Sequence, residues 1–130
     1  MKTHQCLILF HQPDFDLARA NALLTERGLS VTSNGDSLFV RWSDGPTLGV
    51  ALRRGPKVQA EATKIGRGTS HAVALAACDA QLEISVADLE EVLDEMNTLI
   101  ETQATLQSAT GGWMFNTWNE QLSAPDEGAG

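Results

Sequence analysis

His71, Cys78 and Asp79 are the residues of this chain whose types could do covalent chemistry, since a thiol, an imidazole and a carboxylate can act as nucleophile, base and orienting group. Their spacing alone does not bring them together, and Cys78 closes a run of alanines typical of packing. Just upstream, Gly66-Arg67-Gly68-Thr69-Ser70 has the glycines, the base and the hydroxyls from which phosphate loops are made. Arg67, Thr69, Ser70, His71, Cys78 and Asp79 together form a candidate ligand-binding set for a small molecule or a phosphate. His4 and His11 flank the first apolar run, and their odd spacing sends them to opposite faces of a straight strand. No nucleophile elbow, phosphate-binding loop signature, dinucleotide fingerprint or paired-histidine zinc motif is present. No catalytic residue is assigned, and no metal or cofactor is implied.

The second kind of chemistry is charge. All nine lysines and arginines fall before position 68. Residues 1–40 have net charge −1, residues 41–67 have +4, and residues 68–130, with eleven acids and no base, have −11. The basic stretch holds Arg41, Arg53, Arg54, Lys57, Lys64 and Arg67. Asp88, Glu90, Glu91, Asp94, Glu95 and Glu101 sit on one stretch of helical spacing. Like charges one turn apart there cost a few tenths of a kcal/mol per pair, partly offset at a helix start. Two readings stand. The acids form a solvated face, free or paired with Arg53, Arg54, Lys57 or Lys64. Alternatively Glu90, Glu91, Asp94, Glu95 and Glu101, with Trp118 as an apolar anchor, form a docking surface for a basic partner.

The totals bound the rest. At 130 residues and 14.0 kDa, with net charge −8 and pI near 4.7, one globular domain is expected. Net negative charge disfavours nucleic acid as a partner. Cys6 and Cys78 are too few for a disulfide framework. The first apolar run is too short for a signal-peptide core and no stretch suits a membrane helix, so a soluble, cytoplasmic protein is expected.

The elements that must carry these residues follow from periodicity. Cys6–Phe10 reads as a strand buried on both faces. A helix from Phe15 to Arg27 follows, with Asp14 as N-cap and Gly28 past its end. Strands Leu29–Ser33 and Leu38–Trp42 flank an Asn34-Gly35 turn, and Thr47–Leu52 completes a meander. Gly55-Pro56 opens a helix that ends at Gly66, with Val58, Ala62 and Ile65 inward. Residues 72–77 fit helix or strand. Leu82–Ile84 is a strand, and Ser85 with Asp88 resembles a capping box. A long helix over about 86–109 should lie across the sheet on Leu89, Leu93, Met96 and Ile100. Gln103 falls inside that stripe, either fixing register or standing half exposed. Trp113–Trp118 is a final strand, with Trp113 and Phe115 on one face.

The expected class is α+β: a mostly antiparallel sheet in β-α-β-β-β-α-β-α-β order, helices packed on one face. Residues 1–122 form the single domain and 123–130 a flexible tail. From Phe15 to Ala109 the element order and charge resemble small acidic secretion chaperones, which run helix, three-strand meander, helix, strands, helix; the first strand and Trp113–Trp118 lie outside that order. Immunity proteins that mask toxins share the size and acidity. The resemblance implies a non-catalytic protein-binding domain. A self-associating module, pairing its long helix or final strand with a second copy, is a further alternative.

Overall fold

The computed structural model describes residues 4–11, 14–41, 47–86, 90, 97–117 and 120–123. Seven strands form one sheet: β1 (His4–Phe10), β2 (Ser30–Asn34), β3 (Ser37–Arg41), β4 (Thr47–Arg54), β5 (Ala80–Val86), β6 (Trp113–Asn116) and β7 (Gln121–Ser123). Their order is β2-β3-β4-β5-β1-β6-β7, and every neighbouring pair is antiparallel. Among the described residues four helices accompany them: α1 (Leu17–Glu26), α2 (Pro56–Gly66), α3 (Ala72–Ala76) and α4 (Asn97–Thr110). The expected α+β class is thus the observed one.

β1 is buried from Cys6 to Phe10 because it lies between β5 and β6 with helices on each side. Its alternating residues divide the core. Cys6, Ile8 and Phe10 join Leu38, Val40, Leu48, Val50, Leu82 and Ile84 on the first face, under Ala20 and Leu24 of α1 and Leu99 and Leu106 of α4. Leu9 points the other way, into a smaller cluster with Ala62 of α2, Leu75 of α3 and Cys78, flanked by Ile65, Trp113 and Leu122. The expectation of helices on one face therefore holds for α1 and α4 only. α2 and α3 cover part of the second face, because the odd-numbered apolar residues of β1 and β6 also need cover.

Local signals explain most boundaries. Asp16, not Asp14, caps α1: its backbone is extended and its Oδ1 accepts from the Arg19 amide at 2.9 Å. Gly28, at φ 88°, ends α1 in a Schellman arrangement, with Gly28 N–H donating to Thr25 O and Leu29 N–H to Leu24 O. The β2–β3 turn is shifted one residue from the Asn34-Gly35 reading. Asn34 pairs with Ser37, so Gly35 and Asp36 are its central residues. Gly35 has φ 62° and Asp36 is not in the positive-φ region, as in a type II′ turn. Residues 72–76 are helical. Gly66 allows α3 to lie against the end of α2, since a Cβ there would stand 2.8 Å from Leu75 Cδ1.

Two expectations about the long helix change. Val86 ends β5, paired with His4, and Ser85 is also a strand residue, so no capping box forms there. Leu89, Leu93 and Met96 lie outside the described residues. Ile100 does not meet the sheet: it is 49% exposed, while Leu99 is 1% and Leu106 0% exposed. The rotation of α4 is set by polar anchors as well as apolar ones. Gln103 Nε2 donates to Cys6 Sγ at 3.1 Å and Asn116 Oδ1 at 3.3 Å. Gln107 Nε2 donates to Gly112 O at 3.2 Å and Ser123 O at 3.3 Å. Gln103 is therefore a buried tie between α4, β1 and β6. Ser123 belongs to β7 rather than to a tail.

Candidate functional site

The residues singled out between 66 and 79 do not assemble into a catalytic set. Cys78 is buried and its Sγ lies 3.7 Å from Ala74 O, on the carbonyl side of α3. Burial pushes its thiol up to about 11, and the neighbouring Asp79 charge adds to the rise. That is the opposite of the depressed pKa a thiolate nucleophile needs. The His71 ring packs against Trp113 at a 47° tilt, centroids 4.6 Å apart, and makes no hydrogen bond to Cys78 or Asp79 among the described residues. Asp79 faces His11 instead, with Oδ1 3.0 Å from Nδ1. The phosphate-loop reading meets the wrong end of a helix. Arg67 N–H bonds to Lys64 O, and both the amide and hydroxyl of Thr69 bond to Gly66 O. These groups close the carbonyl end of α2, where the dipole disfavours anions. Arg67, Thr69 and Ser70 are exposed.

Of the acidic candidates, Glu90 is exposed and Glu101, on α4, is half-buried. Glu91, Asp94, Glu95 and Trp118 lie outside the described residues. The described bases do not neutralise Glu90 or Glu101. Arg53 Nε is held 2.7 Å from Glu83 Oε1, which raises the Arg53 pKa first through the hydrogen bond and then through the Glu83 charge. Arg54 Nη2 donates to Phe15 O, and its guanidinium stands 5.9 Å over the Phe10 ring. Lys57 and Lys64 ride on α2, across the sheet from α4. Two ion pairs occur among the described residues, His11–Asp79 and Arg53–Glu83. The sheet therefore stands between α4, which carries Glu101 and no base, and Arg53, Lys57 and Lys64, whereas Arg54 and the α1 bases Arg19 and Arg27 lie on the same side as α4.

A trough that the sequence did not announce lies between α2 and the second face of the sheet. It encloses about 260 Å³ and is lined by Gln5, Leu7, Arg53, Lys57, Val58, Glu61, Gln81 and Glu83. At its centre Glu83 accepts from Arg53 on one oxygen and from Gln81 Nε2, at 2.6 Å, on the other. Both oxygens are occupied, which suits an anchor better than a proton acceptor. Gln81 is 6% exposed, and its Oε1 has no hydrogen-bond partner. The signal available in the sequence was the alternation of Gln81, Glu83 and Ser85 with Leu82, Ile84 and Val86 on β5, which marks a strand with one polar face.

No group of three metal-ligating side chains occurs among the described residues. Among them no helix is long and apolar enough to cross a membrane. Comparison of the chain with known protein families, curated proteins and solved structures finds no match.

Proposed function

We propose that this protein is a non-catalytic protein-binding domain that docks a basic partner through the acids following β5: Glu90, Glu91, Asp94, Glu95 and Glu101, with Trp118 as an apolar anchor. The observation that carries this reading is that the described acids after β5 are left without an ion pair. Glu90 and Glu101 have no ion-pair partner among the described residues, while Arg53 is held by Glu83 and Lys57 and Lys64 lie on α2. A chain of net charge −8 with uncompensated acids near one helix attracts a basic surface and speeds its association. The dispersal of His71, Cys78 and Asp79 among unrelated contacts favours binding over catalysis.

The test is capture from a lysate of the source cells, washed at low and then high salt. It runs beside a variant in which Glu90, Glu91, Asp94, Glu95 and Glu101 are all replaced by Gln. A basic protein held stoichiometrically, released by salt and lost by the variant is the expected result. Equal capture by both proteins, or capture of no basic protein, refutes the reading.

A further inference from the structure

The sheet has two edges. β7 is three residues long, which limits what it can pair with. β2 is different: five residues, pairing with β3 without a bulge, and exposed at Ser30, Thr32, Ser33 and Asn34. Proteins usually guard such an edge with lysine, proline, an inward charge or a bulge. Ser30-Val31-Thr32-Ser33-Asn34 carries none of these, in a chain rich in charge elsewhere.

The backbone groups available at that edge follow from the turn. A two-residue turn makes Asn34 and Ser37 a hydrogen-bonded pair, and such pairs alternate along an antiparallel ladder. Thr32 with Phe39 and Ser30 with Arg41 are then also hydrogen-bonded pairs. Val31 and Ser33 turn their N–H and C=O groups outward. Two outward residues placed symmetrically about Thr32 form a self-complementary edge.

We propose that β2 pairs with β2 of a second copy, antiparallel, about a two-fold axis at Thr32. Val31 then faces Ser33 of the second copy, and Ser33 its Val31, which gives four backbone hydrogen bonds. Thr32 meets its own copy, a favourable cross-strand pair. The same register brings Ser30 opposite the second copy's Asn34. Arg41, which pairs with Ser30 on β3, then lies about 10 Å in backbone distance from the second copy's Asn34 and about 14 Å from its Asp36, near enough for charge attraction at low ionic strength. The two-fold repeats this complementary attraction at the other end.

The neighbouring flank of α1 fits the same partner. Leu23, Glu26 and Arg27 line a groove against α4, and Ala20 and Leu24 face the sheet. Helical spacing leaves Ala18, Asn21, Ala22 and Thr25 on the side toward the β2 edge. All four are small and uncharged, so a second α1 can approach without burying a charge. The symmetric register, the neutral flank and the reciprocal Arg41–Asp36 attraction together select a second copy over an unrelated strand.

Sedimentation velocity over a dilution series tests this, with four variants. The native chain should show a monomer–dimer equilibrium. Ser33→Pro removes an outward N–H without touching a β2–β3 hydrogen bond, and should be monomeric with unchanged far-UV circular dichroism. At low ionic strength Arg41→Asp and Asp36→Arg should each raise the dimer Kd about threefold, and the double swap should return it toward the native value. If Ser33→Pro fails to fold, the charge-swap cycle decides. A native chain that stays monomeric, a dimer untouched by Ser33→Pro, or charge swaps that fail to compensate overturns the proposal.

Discussion

The rotation of α4 can be tested by truncating two adjacent residues. Leu99 is 1% exposed in the core between α1, the sheet and α4, whereas Ile100 is 49% exposed. Leu99→Ala removes fully buried methyl groups and leaves a void, at a cost of about 3 kcal/mol. Ile100→Ala loses about half the transfer free energy of an isoleucine, about 1 kcal/mol, and leaves no cavity. Alanine's better helix propensity returns about 0.4 kcal/mol, so the net cost is about 0.6 kcal/mol. Urea unfolding followed by tryptophan fluorescence reads both. With a slope of about 1.5 kcal/mol/M, the midpoints should fall by about 2 M and about 0.4 M. Equal shifts, or a larger shift for Ile100→Ala, would refute the placement of α4. A helix resting on Ile100, as its apolar periodicity suggests, would give that reversed order.

Other perturbations report on separate parts of the fold. Gly112→Ala should destabilise by about 2 kcal/mol, read as a Tm loss, because its Cβ would stand 2.7 Å from Ile8 Cγ2 and 2.9 Å from Leu9 O. Thr102→Val should stabilise by about 1 kcal/mol in denaturant unfolding, since Thr102 is fully buried and its Oγ1 has no partner. Asp16→Ala should cost about 1 kcal/mol through the lost cap on α1, and Asp14→Ala almost nothing. Burial pushes the Cys6 thiol up to about 12, against a lowering hydrogen bond from Gln103, and the Cys78 thiol up to about 11. Above the unfolded thiol pKa of 9.0 the unfolded chain loses protons that the folded one keeps. Thiol-linked stability is therefore full below about pH 9 and declines as pH rises toward 11 and 12. Native thiols should resist alkylation at neutral pH and react once unfolded; rapid native labelling would contradict the buried assignments.

Some of this was legible from residue pattern. The continuous apolar run of β1, the alternation in β3 and β4, and the Pro56 start and Gly66 end of α2 are local signals, and each produced its element. The class followed from the order of those elements. The α1 cap was misplaced by two residues because Asp14 and Asp16 are chemically equivalent. Only backbone geometry decides which carboxylate reaches the Arg19 amide. The hairpin turn slipped by one residue because Asn34-Gly35 and Gly35-Asp36 are both good turn pairs. The register that buries Leu38 and Val40 on the core face chose between them. β7 was missed because three residues carry too little periodicity to register.

For the candidate sites the division is sharper. Charge segregation is a property of the chain, and the sequence by itself determined it: no base follows Arg67, whatever the fold. It also determined that β1 would be buried and that α+β packing would result, because hydrophobic periodicity is local and strong. Only the tertiary structure decided that His71 packs against Trp113 while Asp79 turns to His11, since their contacts depend on where β1 and β6 arrive. It alone placed Arg53 on Glu83 and α2 across the sheet from α4, and it alone turned Ile100 outward while Gln103 reached Cys6. These are contacts between residues distant in sequence, set by strand register and helix rotation, and neither quantity is encoded in the residue types of any one segment.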